Sequence, residues 1–111
     1  MQFKTLSTKY ISNHQYFTAR QDSYETPMGK IVDPYFVVEL PECVVAVAIT
    51  TENKVLLIEQ YRHPIQQNSI ELPGGFIDAN EEPAFAIARE LLEETGYYFT
   101  KFEYLGKTYS N

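Results

Sequence analysis

The chain has 111 residues, 44% of them hydrophobic, with fifteen acidic against nine basic side chains and a net charge of −6. That length is near the size of one ordinary domain. An acidic chain without a Lys/Arg block argues against nonspecific nucleic-acid or membrane-surface binding. No apolar stretch reaches 18 residues, the amino terminus has no signal-peptide pattern, and Cys43 has no partner cysteine, so a cytoplasmic protein is expected.

The first forty residues read as strands and turns. Residues 3–11 and 14–20 are aromatic- and Thr-rich, with Ser12-Asn13 as the turn between them. Residues 23–30, with Pro27 and Gly29, read as a loop, and 31–40 as a third strand interrupted by Asp33-Pro34. After Pro41 comes the clearest strand, 43–50, with Cys43 expected inside as a small buried hydrophobe. A turn at 51–54 leads to a hairpin partner at 55–61. The continuous apolar runs at 44–49 and 55–58 predict strands covered on both faces. Residues 62–68 read as a loop, 69–72 as a short strand, and 102–109 as a last strand.

Between them lies the segment that carries chemistry. Ala84, Ile87, Ala88 and Leu91, widened by Phe85 and Leu92, have the spacing of one buried helix face over 81–95. Asn80 reads as its N-cap, Pro83 suits the first turn, and Gly96 reads as the left-handed stop. The other face gathers Glu90, Glu93 and Glu94, three and four residues apart, where like charges repel. Such a cluster is either an ordinary solvated face or a site whose repulsion a hard cation relieves, Mg²⁺ or Mn²⁺ by its preference for carboxylate and phosphate oxygens. Arg89 reaches Glu93 at i+4. Upstream, Gly74 and Gly75 end a short strand and let backbone approach a ligand closely.

Gly75, five residues, Glu81, seven residues, then Arg89-Glu90-Leu91-Leu92-Glu93-Glu94-Thr95-Gly96-Tyr97 resembles the Nudix box, with Tyr97 the one soft departure in an aliphatic slot. The order Leu57-Ile-Glu-Gln-Tyr-Arg62, loop, Glu71-Leu-Pro-Gly-Gly75, helix is similar to the ADP-ribose pyrophosphatase branch of that family. The resemblance implies an α+β protein: a Nudix-type α/β/α sandwich with a mixed sheet over 41–111, preceded by an antiparallel strand subdomain over 1–40. It also implies that the core stops short of its last strands and second helix, and that a homodimer forms through the first forty residues.

The resemblance further implies hydrolysis of a nucleoside diphosphate linked to another moiety, most simply ADP-ribose or a nucleoside-diphosphate sugar. A dinucleoside-polyphosphate or nucleotide-cleaning hydrolase, or a noncatalytic nucleotide-sensing module, are the alternatives. By the same resemblance the metal ligands are the Gly74 carbonyl, Glu90 and Glu94, with Glu93 as ligand or bridge. Glu93, Glu94 and Arg89 are the expected catalytic residues; Gly75, Glu81 and Gly96 support them. Many similar sequences carry alanine where this chain has Gly74, a departure expected to be minor. Arg62 is expected to bind the diphosphate. Glu71 is either a ligand-side carboxylate or a polar strand residue. Among Tyr16, Phe17, Tyr24, Tyr35 and Phe36, the sequence does not choose which stacks on a base.

Overall fold

The computed structural model describes residues 2–110 and divides the chain into two compact units, Met1–Pro41 and Glu42–Asn111. The first unit is a three-stranded antiparallel sheet in the order β1 (Lys4–His14), β2 (Phe17–Glu25), β3 (Ile31–Glu39). The first turn falls at Gln15-Tyr16, not Ser12-Asn13. Ser12 stays in β1, just past a bulge, where its hydroxyl donates to the Phe17 carbonyl at 2.8 Å. The expected loop at 23–30 shrinks to the turn at 26–29, because β2 continues to Glu25 opposite Lys4. β3 runs through Asp33-Pro34, and on this sheet Arg20 pairs with both Asp22 and Glu39. Tyr24 packs its ring against Phe3 and Tyr35, while Tyr16, Phe17 and Phe36 are exposed.

In the second unit the long expected strands are shorter. β4 covers only Cys43–Val45 and pairs with β7 (Gly74–Phe76); β5 (Ile58–Arg62) pairs with β6 (Gln67–Glu71). Between β4 and β5, the turn at 51–54 is held by the Ile49–Val55 bridge and by the Leu56 amide donating to the Ala48 carbonyl at 2.9 Å. The expected loop at 62–68 is a single 3₁₀ turn, His63–Ile65, closed by Gln66 in the left-handed region, so β5 and β6 form a tight hairpin.

The one α-helix among the described residues, α1 (Pro83–Thr95), supplies the core. Ile87 and Leu91 pack on Ala48, joined by Val44, Ala46, Leu56 and Phe99. The helix buries Ala86, Ile87 and Leu91, whereas Ala84, Phe85 and Leu92 face outward, so its inner stripe lies slightly round from the expected one. Its N-cap is Glu82, without a side-chain cap bond. Asn80 instead takes the left-handed conformation that turns the chain into the helix. Gly96 ends the helix as expected: at φ 77° its amide donates to the Leu92 carbonyl.

The α+β class holds, with every strand pairing among the described residues antiparallel and one helical layer present. Double coverage of the apolar runs does not hold. Val44, Ala46 and Ala48 turn toward the helix, but Val45, Val47, Ile49, Val55 and Leu57 are exposed, and so is Cys43. The alternation of a pleated strand places these neighbours on opposite sides, and the described residues supply cover for only one side. Residues 102–109 form no strand. Their aromatic content favours a pleated surface, yet no described segment pairs with them.

Candidate active site

The site is built where β7 meets α1. Gly74 and Gly75 lie opposite Val45 and Val44 of β4, and each is glycine for a different reason. A methyl group at Gly74 would collide with the Val44 carbonyl oxygen and lie 3.0 Å from the Val45 Cα, so the strands close only over a bare backbone. The alanine of similar sequences therefore does not fit this backbone without a shift. A methyl group at Gly75 would lie 2.5 Å from the Glu90 carboxyl carbon, so this glycine leaves room for a carboxylate.

Glu94 comes up beside the same turn. Its Oε1 accepts the Gly74 amide at 3.2 Å, while Oε2 is shielded from solvent with no hydrogen-bond partner among the described residues. Burial pushes the Glu94 carboxyl above its usual range. The Gly74 amide opposes this, and the neighbouring Glu90 and Glu93 carboxylates add to it. A buried oxygen without a partner costs free energy in proportion to its lost hydration.

Arg89 locks the helix to the strand. Its Nε and Nη2 donate to Glu81 Oε2 and Oε1, both at 2.8 Å, and Nη2 also reaches the Phe76 carbonyl at 3.2 Å. Nη1 donates to Glu90 at 3.0 Å and, more distantly, to Glu93 at 3.4 Å. Glu81 is therefore the main partner of Arg89, ahead of the i+4 partner Glu93, which stays largely exposed. The Arg89 guanidinium, with the Asp78 amide bond behind it, holds the Glu81 carboxyl down at about 2. Asp78, absent from the sequence reading, adds a more distant charge, its Oδ2 3.6 Å from Nη2. Its place three residues before Glu81 was the available signal.

Arg62 and Glu71, weighed separately from sequence, form a bidentate pair: Nε to Oε2 at 2.8 Å and Nη2 to Oε1 at 2.5 Å. The Arg62 guanidinium holds the Glu71 carboxyl below its usual range, and the Glu94 charge also acts on Arg62. His63 faces Tyr61, whose hydroxyl lies 3.1 Å from its Nδ1. The structure thus brings Gly74, Gly75, Glu90 and Glu94 together, ties Arg89, Glu81 and Glu93 to that group, and leaves Gly96 at the far end of the helix as its stop. No three acidic, histidine or cysteine side chains among the described residues converge into a finished metal cage.

The NUDIX domain profile matches residues 39–111. The chain belongs to the Nudix family. Residues 3–38 match a second description, the nucleoside diphosphate sugar hydrolase N-terminal domain, so both parts of this Nudix chain have counterparts. It is 36% identical over 102 residues to a methanol dehydrogenase activator of Bacillus methanolicus, covering 92% of this chain and 55% of that protein. It is 32% identical over 113 residues to an ADP-ribose pyrophosphatase of Bacillus subtilis, covering 97% of this chain and 60% of that protein. The crystal structure of an ADP compounds hydrolase shares the fold, with a TM-score of 0.77 at 23% identity over 91% of this chain and 55% of that one. The chain thus spans little more than half the length of these relatives. No helix among the described residues is long and apolar enough to cross a membrane.

Proposed function

We propose that this Nudix chain carries the metal-holding face of a hydrolase acting on a nucleoside diphosphate linked to another moiety, with ADP-ribose or a nucleoside-diphosphate sugar as substrate. The observation that carries the reading is the Glu94 Oε2 atom, shielded and unpartnered beside Glu90 and the Gly74 backbone. Two neighbouring carboxylates with an empty acceptor suit Mg²⁺ or Mn²⁺, which take one or two protein carboxylates and complete their shell with phosphate oxygens and water.

Glu90, Glu94 and the Gly74 carbonyl would hold the ion, with Glu93 beside them. Bound there, it would activate water and neutralise phosphate charge. Arg89 keeps Glu90 in place and ties the helix to Phe76, so the carboxylates are positioned before substrate arrives. Glu93, the exposed carboxylate of the three, would take a proton from an attacking water. Arg62 offers guanidinium donors to the diphosphate. The products would be two phosphomonoesters. The name of the Bacillus subtilis relative supports an ADP-linked substrate.

The test is a panel of ADP-ribose, nucleoside-diphosphate sugars and dinucleoside polyphosphates with Mg²⁺, comparing parent and Glu94→Gln. Hydrolysis of ADP-ribose or a diphosphate sugar, lost by roughly 10²-fold or more in the variant, is expected. Equal rates, or activity only on polyphosphates, would overturn the reading.

A further inference from the structure

Arg62 and Glu71 do not face each other across the β5–β6 hairpin. Arg62 lies opposite Gln67 and Glu71 opposite Ile58, so the guanidinium folds back along the face that also carries Gln60 and Ser69. It ends in a fork on Glu71, only three residues before Gly74, with Leu72 and the fully buried Pro73 between them. An isolated exposed ion pair would need no comment. This one is lopsided: Glu71 is 26% exposed and Arg62 50%, so the carboxylate is the fixed end and the guanidinium the presented one.

The contact uses the side-on edge of the guanidinium, Nε and Nη2. A guanidinium has five N–H donors, and two are spent here, leaving three. Those three include the whole end-on edge, the Nη1/Nη2 pair, and no described residue accepts from it. A planar fork matches two oxygens of a phosphate, and only arginine can hold one carboxylate on one edge while offering a second edge.

We propose that Glu71 is a positioning residue that clamps the side-on edge of Arg62 and thereby aims its end-on edge at the substrate diphosphate. This rests on the diphosphate-hydrolase reading. It replaces direct substrate contact by Glu71 with action through Arg62, and it explains why a carboxylate stands beside a site that binds anions.

The experiment is a double-mutant cycle on the intact chain: parent, Arg62→Ala, Glu71→Gln and the double variant, assayed with ADP-ribose and Mg²⁺ after melting curves confirm folding. Each single change is expected to lower kcat/KM roughly tenfold to a hundredfold, the scale of a misplaced contact, and the double no further than Arg62→Ala. Arg62→Lys should remain as impaired as Arg62→Ala, because an ammonium has no second edge; a merely structural ion pair would be restored by lysine. Losses that multiply, or full rescue by lysine, would overturn the proposal. If the parent does not hydrolyse ADP-ribose, the functional reading fails, and affinity for inorganic pyrophosphate decides the positioning role. Glu71→Gln must then weaken binding as much as Arg62→Ala. Unchanged or tighter binding would show that Glu71 competes for the arginine instead of aiming it.

Discussion

At the residue scale, two glutamates on one helix approach should respond to pH in opposite senses. Burial raises Glu94, so the folded chain holds that proton more tightly than the unfolded chain does. Stability from this group is therefore fullest below the ordinary value of 4.5 and falls as pH climbs through the raised folded value. Glu94→Gln, always neutral, is expected to be more stable than the parent at pH 7 without metal, with the gap closing in acid. Urea midpoints at pH 4 and 7 check this, and a lower midpoint for the variant at pH 7 would contradict it. Glu81 runs the other way. Held down to about 2 by Arg89, it stabilises the fold above 4.5 and loses that contribution as pH falls toward 2. Glu81→Gln should melt below the parent at pH 7 and draw level with it near pH 2. A constant difference across that range would show that packing, not charge, matters there.

At the scale of elements, the β4–β7 pair depends on closeness. Gly74→Ala pushes a methyl group into the Val44 carbonyl, and overpacking of this kind costs about 1–3 kcal/mol. A drop of that size in unfolding free energy, with weaker Mn²⁺ binding, is expected; a neutral result by denaturant titration would show that the two strands separate easily. This part of the site was not legible from residue types, because the sequence shows a glycine but not the carbonyl it faces. The helix was legible in part: Ile87, Leu91 and Gly96 mark its inner side and its end, but the spacing put Ala84 inside where the structure buries Ala86. Its start was misread because Asn80, a good cap by type, is used as a left-handed hinge. The Arg62–Glu71 fork was hidden for another reason. It joins residues on two strands that are not register partners, a relation no local pattern records.

At the scale of the whole molecule, each strand near the core has a dry side and an open side. The runs at 44–49 and 55–58 are apolar throughout, so their composition hides which side is covered. Exchange of alternate residues should reveal it. Val47→Lys, on the open side, is expected to change stability by less than about 0.5 kcal/mol, the range of ordinary surface substitutions. Ala48→Lys, at 5% exposure against Ile87 and Leu91, should unfold the second unit by burying an unpaired charge. Circular dichroism melts of both decide it, and equal effects would mean that the open side is covered in solution. The first unit exposes Tyr10, Tyr16, Phe17, Tyr35, Phe36 and Val38, which supports pairing with a second copy, as the family resemblance implies. Light scattering with and without residues 1–40 is expected to give a dimer for the longer form and a monomer for the shorter.

The Gly74 amide donates its hydrogen to a carboxylate twenty residues away, not to a neighbouring strand. Its nuclear magnetic resonance signal is thus a built-in gauge of what happens to Glu94. Protonation weakens the acceptor and moves the amide proton upfield, and a diamagnetic cation that draws on the same carboxylate moves it too, with no label placed in the site. One backbone peak would follow acid titration and ion loading in the same sample, at the atom where both act.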